Sequence, residues 1–355
     1  AEVSFTNGVR AEIAMCRHEA YTKPGRRPAI CPAMIFDDLK RRDFSVNAMA
    51  VSLHPNSRGL LLDPTNGAAD IEKRELRVLH NRSFQDDPSR LYRLLRLGLR
   101  LNFRPEERTR NLLEAALENH AWERLTPEQQ GRELCAILRE GNPGRVLKAL
   151  SNRGLLARLD RKLAATRIPY ERFARIRSVV QTVPGADPFL LNFHCLVEKL
   201  GSNHRSRLGK KIVPDRKAIK LALGLESAAR KLARLLASSK VTLPSQVYTL
   251  LSGQPQPVLL FLLASSPRAK VQNRVKNFLL KYPQVRARLP RAELQAMGVE
   301  PGPRFERIME GVFLDQLDGK IKTHQQLFKE LRALAGIAEP APKPSKPAAR
   351  AGKKK

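Results

Sequence analysis

The chain has 355 residues and carries 65 Lys and Arg against 34 Asp and Glu, a formal net charge of +31. A surface that positive repels itself and attracts polyanions, so nucleic acid is the first partner to consider. A hydrophobic fraction of 42% excludes a wholly disordered chain, and no apolar run approaches the roughly 18 residues of a membrane span. In chain order, residues 1 to about 78 mix short strand-like runs (Ala11 to Cys16, Gly59 to Leu62, Glu75 to Leu79) with a helical stretch from Leu39 to Leu53. Turns are expected at Lys23-Pro24-Gly25 and at Asp63-Pro64-Thr65-Asn66-Gly67. From about Asp87 the apolar period becomes 3.6 and persists to about Ala335, which reads as helix after helix. Breaks at Gly141–Gly144, Pro184-Gly185, Ser252–Pro255 and Pro301–Pro303 divide this half into bundles. The stretch from Glu339 to Lys355 is rich in Pro, Ala and Lys and reads as a disordered basic tail.

Asp87 followed by Pro88 is a helix start, a capping carboxylate and then proline at the first helical position. Beyond it, Arg90, Arg93, Arg96, Arg100 and Arg104 fall within an arc of roughly 120° on a helical wheel, while Leu91, Leu94, Leu95 and Leu99 share the other side. Leu97 breaks the separation. Such a ladder of guanidinium groups offers bidentate contacts to phosphates or base edges at any working pH. Asp86 and Asp87 lie within about one turn of Arg90, placed to orient its fork and to leave oxygens free for a nucleobase amino group. The alternative is an ordinary capped helix with a solvated basic face. In the head, Asn47 follows Asp43 by four residues, a spacing that on a helix lets both side chains share a polar ligand such as a ribose. Arg42 beside them suits a phosphate, unless the segment is simply a basic turn capped by Asp43.

The stretch Asp38-Leu39-Lys40-Arg41-Arg42-Asp43-Phe44-Ser45-Val46-Asn47-Ala48 resembles motif B (DLxRRDFTxNA) of the class II tRNA nucleotidyltransferase and poly(A) polymerase superfamily, with Ser45 keeping the hydroxyl of the usual Thr. Ala11 to Glu19 is similar to the family's EVTTFRxE strand, and Asp63-Pro64, Gly67 and Asp70-Ile71 to its DPxxGxxDL turn. Asp86-Asp87-Pro88-Ser89-Arg90 stands where the family has motif D (EDxxR), with Asp86 in place of Glu. Leu125 to Leu134 resembles the segment that closes the neck, and Leu294 to Pro303 followed by Leu317-Asp318-Gly319 resembles the C-terminal element of bacterial members. Arg291-Ala292-Glu293 departs from that element's LxGxDL.

The resemblance implies an α+β chain: a partial polymerase-β-like nucleotidyltransferase head over 1–78, then an all-α neck (79–145, base recognition), body (146–250, RNA binding) and tail (251–337, tRNA binding), ending in the basic stretch 338–355. It implies addition of CCA, or of CC or A alone, to tRNA 3′ ends from CTP and ATP without a template. Arg42, Arg93 and Arg96 would hold phosphates, Asp43 and Asn47 would sit near the ribose, and Asp86, Asp87 and Arg90 would read the base. Two Mg²⁺ ions would clamp the attacking and leaving oxygens, but the family's DxD ligands downstream of GGxVRD are not in this sequence. Glu12 stands where such folds place a further strand carboxylate, or is a plain surface residue. Residue 1 is Ala rather than Met, so the chain reads as a fragment without catalytic metal ligands.

Arg205, Arg207, Lys210, Lys211, Arg216, Lys217, Lys220, Arg230, Lys231 and Arg234 cluster within about 30 residues, a charge density suited to phosphate contacts with RNA. The alternatives are a poly(A) polymerase, which shares motifs B and D, and a non-catalytic RNA-binding protein. Cys16, Cys31, Cys135 and Cys195 lie far apart with no CxxC pair, which argues against a zinc ribbon or disulfide scaffold and fits a reducing compartment. Without a secretory signal or membrane span, the cytoplasm is expected. Oligomeric state is not legible.

Overall fold

The computed structural model describes residues 1–5, 9–20, 29–213 and 215–337. The turn expected at Lys23-Pro24-Gly25 and the basic stretch 338–355 lie outside the described residues. The chain divides into two compact units, residues 1–226 and 227–355.

The first unit opens with antiparallel ribbons: β1 (Glu2–Ser4) on β2 (Arg10–Glu12), then β3 (Arg17–Ala20) on β4 (Ala29–Pro32). In the first ribbon Val3 opposes Ala11 and Phe5 N donates to Val9 O at 2.7 Å. Phe5, Val9 and Ile13 are exposed. α1 (Ile35–Lys40) follows and stops at Arg41. The helix expected from Leu39 to Leu53 therefore ends early. Phe44 is fully buried, extended and bridged to Val78, Ser45–Asn47 form a 3₁₀ turn, and β5 (Ala50–Val51) pairs with β6 (Leu61–Leu62). Burial of Phe44 against a strand segment thirty-odd residues on overrides the local helical pattern, which no window of sequence contains.

α2 (Gly67–Lys73) is laid directly on that turn. Ser45 Oγ donates to the buried Asp70 carboxylate at 2.5 Å and Arg77 Nε donates to the same oxygen at 2.9 Å, which explains why a hydroxyl is needed at position 45. β7 (Glu75–Leu76) then runs parallel to β8 (Arg104–Pro105), across α3 (Ser83–Asp86) and α4 (Ser89–Leu101). α4 begins one residue after the expected Pro88, so Pro88 takes the cap position and Asp87 lies just outside it, accepting from Ser89 N at 3.0 Å and Ser89 Oγ at 2.6 Å. Leu91, Tyr92, Leu94 and Leu97 form its buried side, so Leu97 belongs to the core it seemed to interrupt. Asn102 at φ 57° ends the helix, which removes Arg104 from the arginine ladder and leaves it beside Glu75.

α5 (Glu107–Glu118) packs on α3, while α6 (Pro127–Leu138) and α7 (Pro143–Asn152) pack on α4. α8 (Leu155–Leu159), α9 (Arg161–Ala164), α10 (Tyr170–Thr182), α11 (Phe189–Val197) and α12 (Ser202–Ile212) follow, with Tyr92 Oη donating to Leu155 O at 3.1 Å. The boundary between units falls inside α13 (Arg216–Ala237). The expected boundaries at 78, 145 and 250 do not coincide with it, because the Phe44–Val78 bridge and the β7–β8 pairing knit the first two segments together.

The second unit is helical: α14 (Pro244–Ser252), α15 (Gln256–Ser265), α16 (Ala269–Lys276), a π turn at Asn277–Lys281, α17 (Tyr282–Ala287), α18 (Arg291–Ala296), α19 (Pro303–Leu317) and α20 (His324–Ala335). Its core gathers Leu294, Phe305, Met309, Val312, Phe313 and Leu331. Among the described residues no helix is long and apolar enough to cross a membrane.

A Cβ on Gly67 would lie 2.3 Å from the carbonyl oxygen of Ser45, a backbone atom that cannot yield without moving the turn before Asn47. Gly67→Ala should therefore destabilise the first unit by about 2 kcal/mol, read as a lowered midpoint in urea unfolding.

Candidate nucleotide-recognition site

Asp38, buried in α1, anchors the turn that carries Arg42 and Asp43. Its carboxylate accepts from Arg41 Nη2 at 2.5 Å, Arg42 Nη2 at 2.9 Å and Arg17 N at 3.2 Å. Burial acts to raise its pKa, but these donors outweigh burial and hold it down at about 2. Arg41 also donates to Glu19 Oε1 at 2.7 Å and to Arg17 O at 2.9 Å, so the turn is pinned to β3. Arg42 keeps 43% of its side chain exposed, while its Nη1 lies 3.3 Å from Asn47 O.

Asp43 and Asn47 do come together, though on a 3₁₀ turn rather than an α-helix: Asn47 Nδ2 donates to Asp43 Oδ1 at 3.0 Å. The other oxygen, Asp43 Oδ2, accepts from Arg93 Nη1 at 3.2 Å. Arg93 Nε lies 3.5 Å from Glu133 on α6. Burial works against the Arg93 charge, yet Asp43, Glu133 and Asp87 together push its pKa up. Burial pushes Glu133 up, against the opposing pull of Arg93 and Arg96. Arg96 donates to Glu140 Oε1 at 2.8 Å, and Arg100 lies 3.8 Å from the same oxygen.

Arg90 departs most from expectation. It is 4% exposed, and neither Asp86 nor Asp87 holds its fork. Arg90 Nη1 donates to Ser83 Oγ at 2.7 Å and lies 3.3 Å from His80 Nε2, and Nη2 donates to Arg41 O at 3.2 Å. Its Nε is buried without a hydrogen-bond partner among the described residues. Asp86 instead faces Arg82 at 3.6 Å and His80 Nδ1 at 3.9 Å. Asp87 accepts from Ser89 N, Ser89 Oγ and Gln129 Nε2 (3.0 Å), and all three bonds go to Oδ1. The reason is topological: Ser83 precedes the helix by a turn and Arg41 is 49 residues away, so both reach Arg90 from outside its own helix.

Sequence reasoning missed Asp38, Arg41, His80, Gln129 and Glu133 as members of this network. For Gln129 a signal existed. Thr126 and Gln129 form a capping box on α6, with Thr126 N donating to Gln129 Oε1 at 2.9 Å, and this turns the amide NH₂ toward Asp87.

Of the basic cluster, Arg205, Arg207, Lys210 and Lys211 lie on α12 and Arg216, Lys217 and Lys220 on the first turns of α13. All are exposed except the half-buried Arg205. Arg207 lies 2.9 Å from His204 Nδ1 and Lys211 donates to Gln130 Oε1, which ties α12 to α6. In the second unit, Arg230, Lys231 and Arg234 are exposed on one face of α13. Glu12 is exposed on β2 opposite Glu2, and among the described residues no group of three or more His, Cys, Asp or Glu could hold a metal ion. The described side chains therefore do not fit a Mg²⁺ pair.

The poly(A) polymerase head domain matches residues 1–77. An A-adding tRNA nucleotidyltransferase of Halalkalibacterium halodurans is 30% identical over 342 residues, 94% of this chain and 76% of that protein. The chain belongs to the tRNA nucleotidyltransferase family. An A-adding tRNA nucleotidyltransferase of Geobacter sulfurreducens is 26% identical over 351 residues, 96% of this chain but 40% of its own length. A solved CCA-adding enzyme without ligand is 28% identical with a TM-score of 0.52, covering 95% of this chain and 79% of its own. The α+β fold of this family member is thus a polymerase-β-like head followed by helices. The chain spans 40% of one curated relative and 76% of the other.

Proposed function

We propose that this chain selects CTP or ATP with protein side chains and grips tRNA, so that nucleotides are added to the tRNA 3′ end without a template. The terminal hydroxyl attacks the α-phosphate and pyrophosphate leaves. The observation that carries the reading is the pair Asp87 and Arg90. Asp87 spends only Oδ1 on the protein, and Arg90 presents a buried Nε with no acceptor among the described residues. Cytosine and adenine each offer an exocyclic amino donor beside a ring-nitrogen acceptor, the complements of a carboxylate acceptor and a guanidinium donor. Uracil and guanine place a carbonyl oxygen where the carboxylate lies and are repelled. Discrimination from one such pair amounts to about 1–3 kcal/mol. Asp43 and Asn47 suit a ribose hydroxyl, and the half-exposed Arg42 suits a phosphate. Arg93 and Arg96 reach phosphates only by leaving Asp43 and Glu140.

Two relatives that align along nearly the whole chain are A-adding, which favours ATP as the nucleotide and tRNA over a general poly(A) substrate. The exposed Lys and Arg of α12 and α13 support the RNA half of the reading through phosphate contacts.

Equilibrium binding of the four nucleoside triphosphates tests the selection. The chain should bind CTP and ATP more tightly than UTP and GTP, and Arg90→Ala should level the four while leaving tRNA affinity unchanged. Asp87→Asn, which exchanges an acceptor for a donor, should raise UTP relative to CTP about tenfold. An unchanged preference in both variants would contradict the reading. Replacing Arg230, Lys231 and Arg234 by Gln should weaken tRNA binding and flatten the slope of log K against log salt by about 0.7–0.9 for each phosphate that is no longer neutralised.

A further inference from the structure

His80 lies on the loop between β7 and α3, and its ring meets Arg90 on one side and Asp86 on the other. A guanidinium has no lone pair to give, so the 3.3 Å contact between Arg90 Nη1 and His80 Nε2 is a hydrogen bond only if Nε2 accepts. The imidazole proton is then on Nδ1, the atom that faces Asp86 Oδ2 at 3.9 Å. The arginine contact alone therefore selects the neutral Nδ1–H tautomer, while Asp86, too far for a hydrogen bond, pulls the ring toward protonation. The loop itself is fixed: Val78 is bridged to Phe44, and Val78 N donates to Thr109 Oγ1 at 3.0 Å.

We propose that His80 is a positioning residue for Arg90: its neutral ring accepts from Nη1 and helps to orient the guanidinium for base reading, and protonation of the ring removes that acceptor and sets a like charge against the arginine. The proposal rests on the reading of Arg90 as a base reader. Without His80, Nη1 keeps Ser83 Oγ and Nη2 keeps Arg41 O, so the arginine stays attached but has no acceptor on its third side.

The surrounding charges set the direction of the pH response. Burial, then Arg90, Arg82 and Arg108 lower the His80 pKa, and Asp86 alone raises it. Arg82 precedes α3, Asp86 ends it, and Arg108 comes from α5, where it donates to Asn81 Oδ1 at 3.0 Å. Because the folded pKa lies below the ordinary 6.5, the contribution of this contact is complete above 6.5 and declines as the pH falls below it. Selection should therefore be a neutral-pH property that fades in acid.

The experiment measures the ratio of CTP to UTP affinity from about pH 5 to 8, with ¹⁵N resonances of the His80 ring followed in the same chain without nucleotide. In the wild type the ratio should fall about tenfold toward acid as the ring titrates, and the ring should be the Nδ1–H tautomer at neutral pH. His80→Gln, which keeps an acceptor, should retain the ratio and abolish its acid dependence. His80→Phe, which fills the space without an acceptor, should show the low ratio at every pH with thermal midpoint and tRNA affinity unchanged. A His80→Phe ratio equal to wild type, or an Nε2–H tautomer, would overturn the role of His80 while leaving the base-reading site standing. A wild-type chain that never distinguishes CTP from UTP would overturn the reading of Arg90 and with it the function given to His80, even where the ring spectrum shows the contact.

Discussion

One guanidinium ties the head of this protein to its helical neck. Arg93 projects from α4 toward Asp43 on the head turn and Glu133 on α6, and Asp87 adds a third negative charge to its surroundings. A half-buried cation among carboxylates is stable because each charge is offset by a neighbour, and removing one partner would strand the others. The same link joins the turn that carries Asp43 and Asn47 to α4.

The remaining members of the site are held from behind. Asp38 fastens Arg41 and Arg42, and Arg41 offers its carbonyl to Arg90. Gln129 uses one end of its amide to cap α6 and the other to hold Asp87. Ser45 and Gly67 set the turn from below, one through its hydroxyl and the other by having no side chain. These supports leave two polar atoms without a bond to the described residues, Oδ2 of Asp87 and the buried Nε of Arg90.

The helical half was legible because its signals are local: the 3.6 period, the helix start at Asp87 and Pro88, and Pro and Gly at the breaks. The juxtaposition of Asp43 and Asn47 was legible too, although the backbone that produces it is a 3₁₀ turn. What the chain alone concealed depends on distant partners. The helix expected to Leu53 yields to the pairing of Phe44 with Val78, and the fork of Arg90 turns away from its neighbours Asp86 and Asp87 to Ser83, His80 and a carbonyl 49 residues earlier. The resemblance covered Asp38 and Gln129 only as members of matched segments; their bonds to Arg42 and Asp87, and the contact of His80 with Arg90, come from the folded geometry.

The central claim is that side chains, not a nucleic-acid template, face the Watson–Crick edge of the incoming nucleotide. A crystal structure of this chain soaked with CTP tests it most directly. The account predicts the cytosine amino group within hydrogen-bond distance of Asp87 Oδ2 and the ring nitrogen within reach of Arg90 Nε. A cytosine ring seated elsewhere, with Asp87 and Arg90 unaltered, would contradict it.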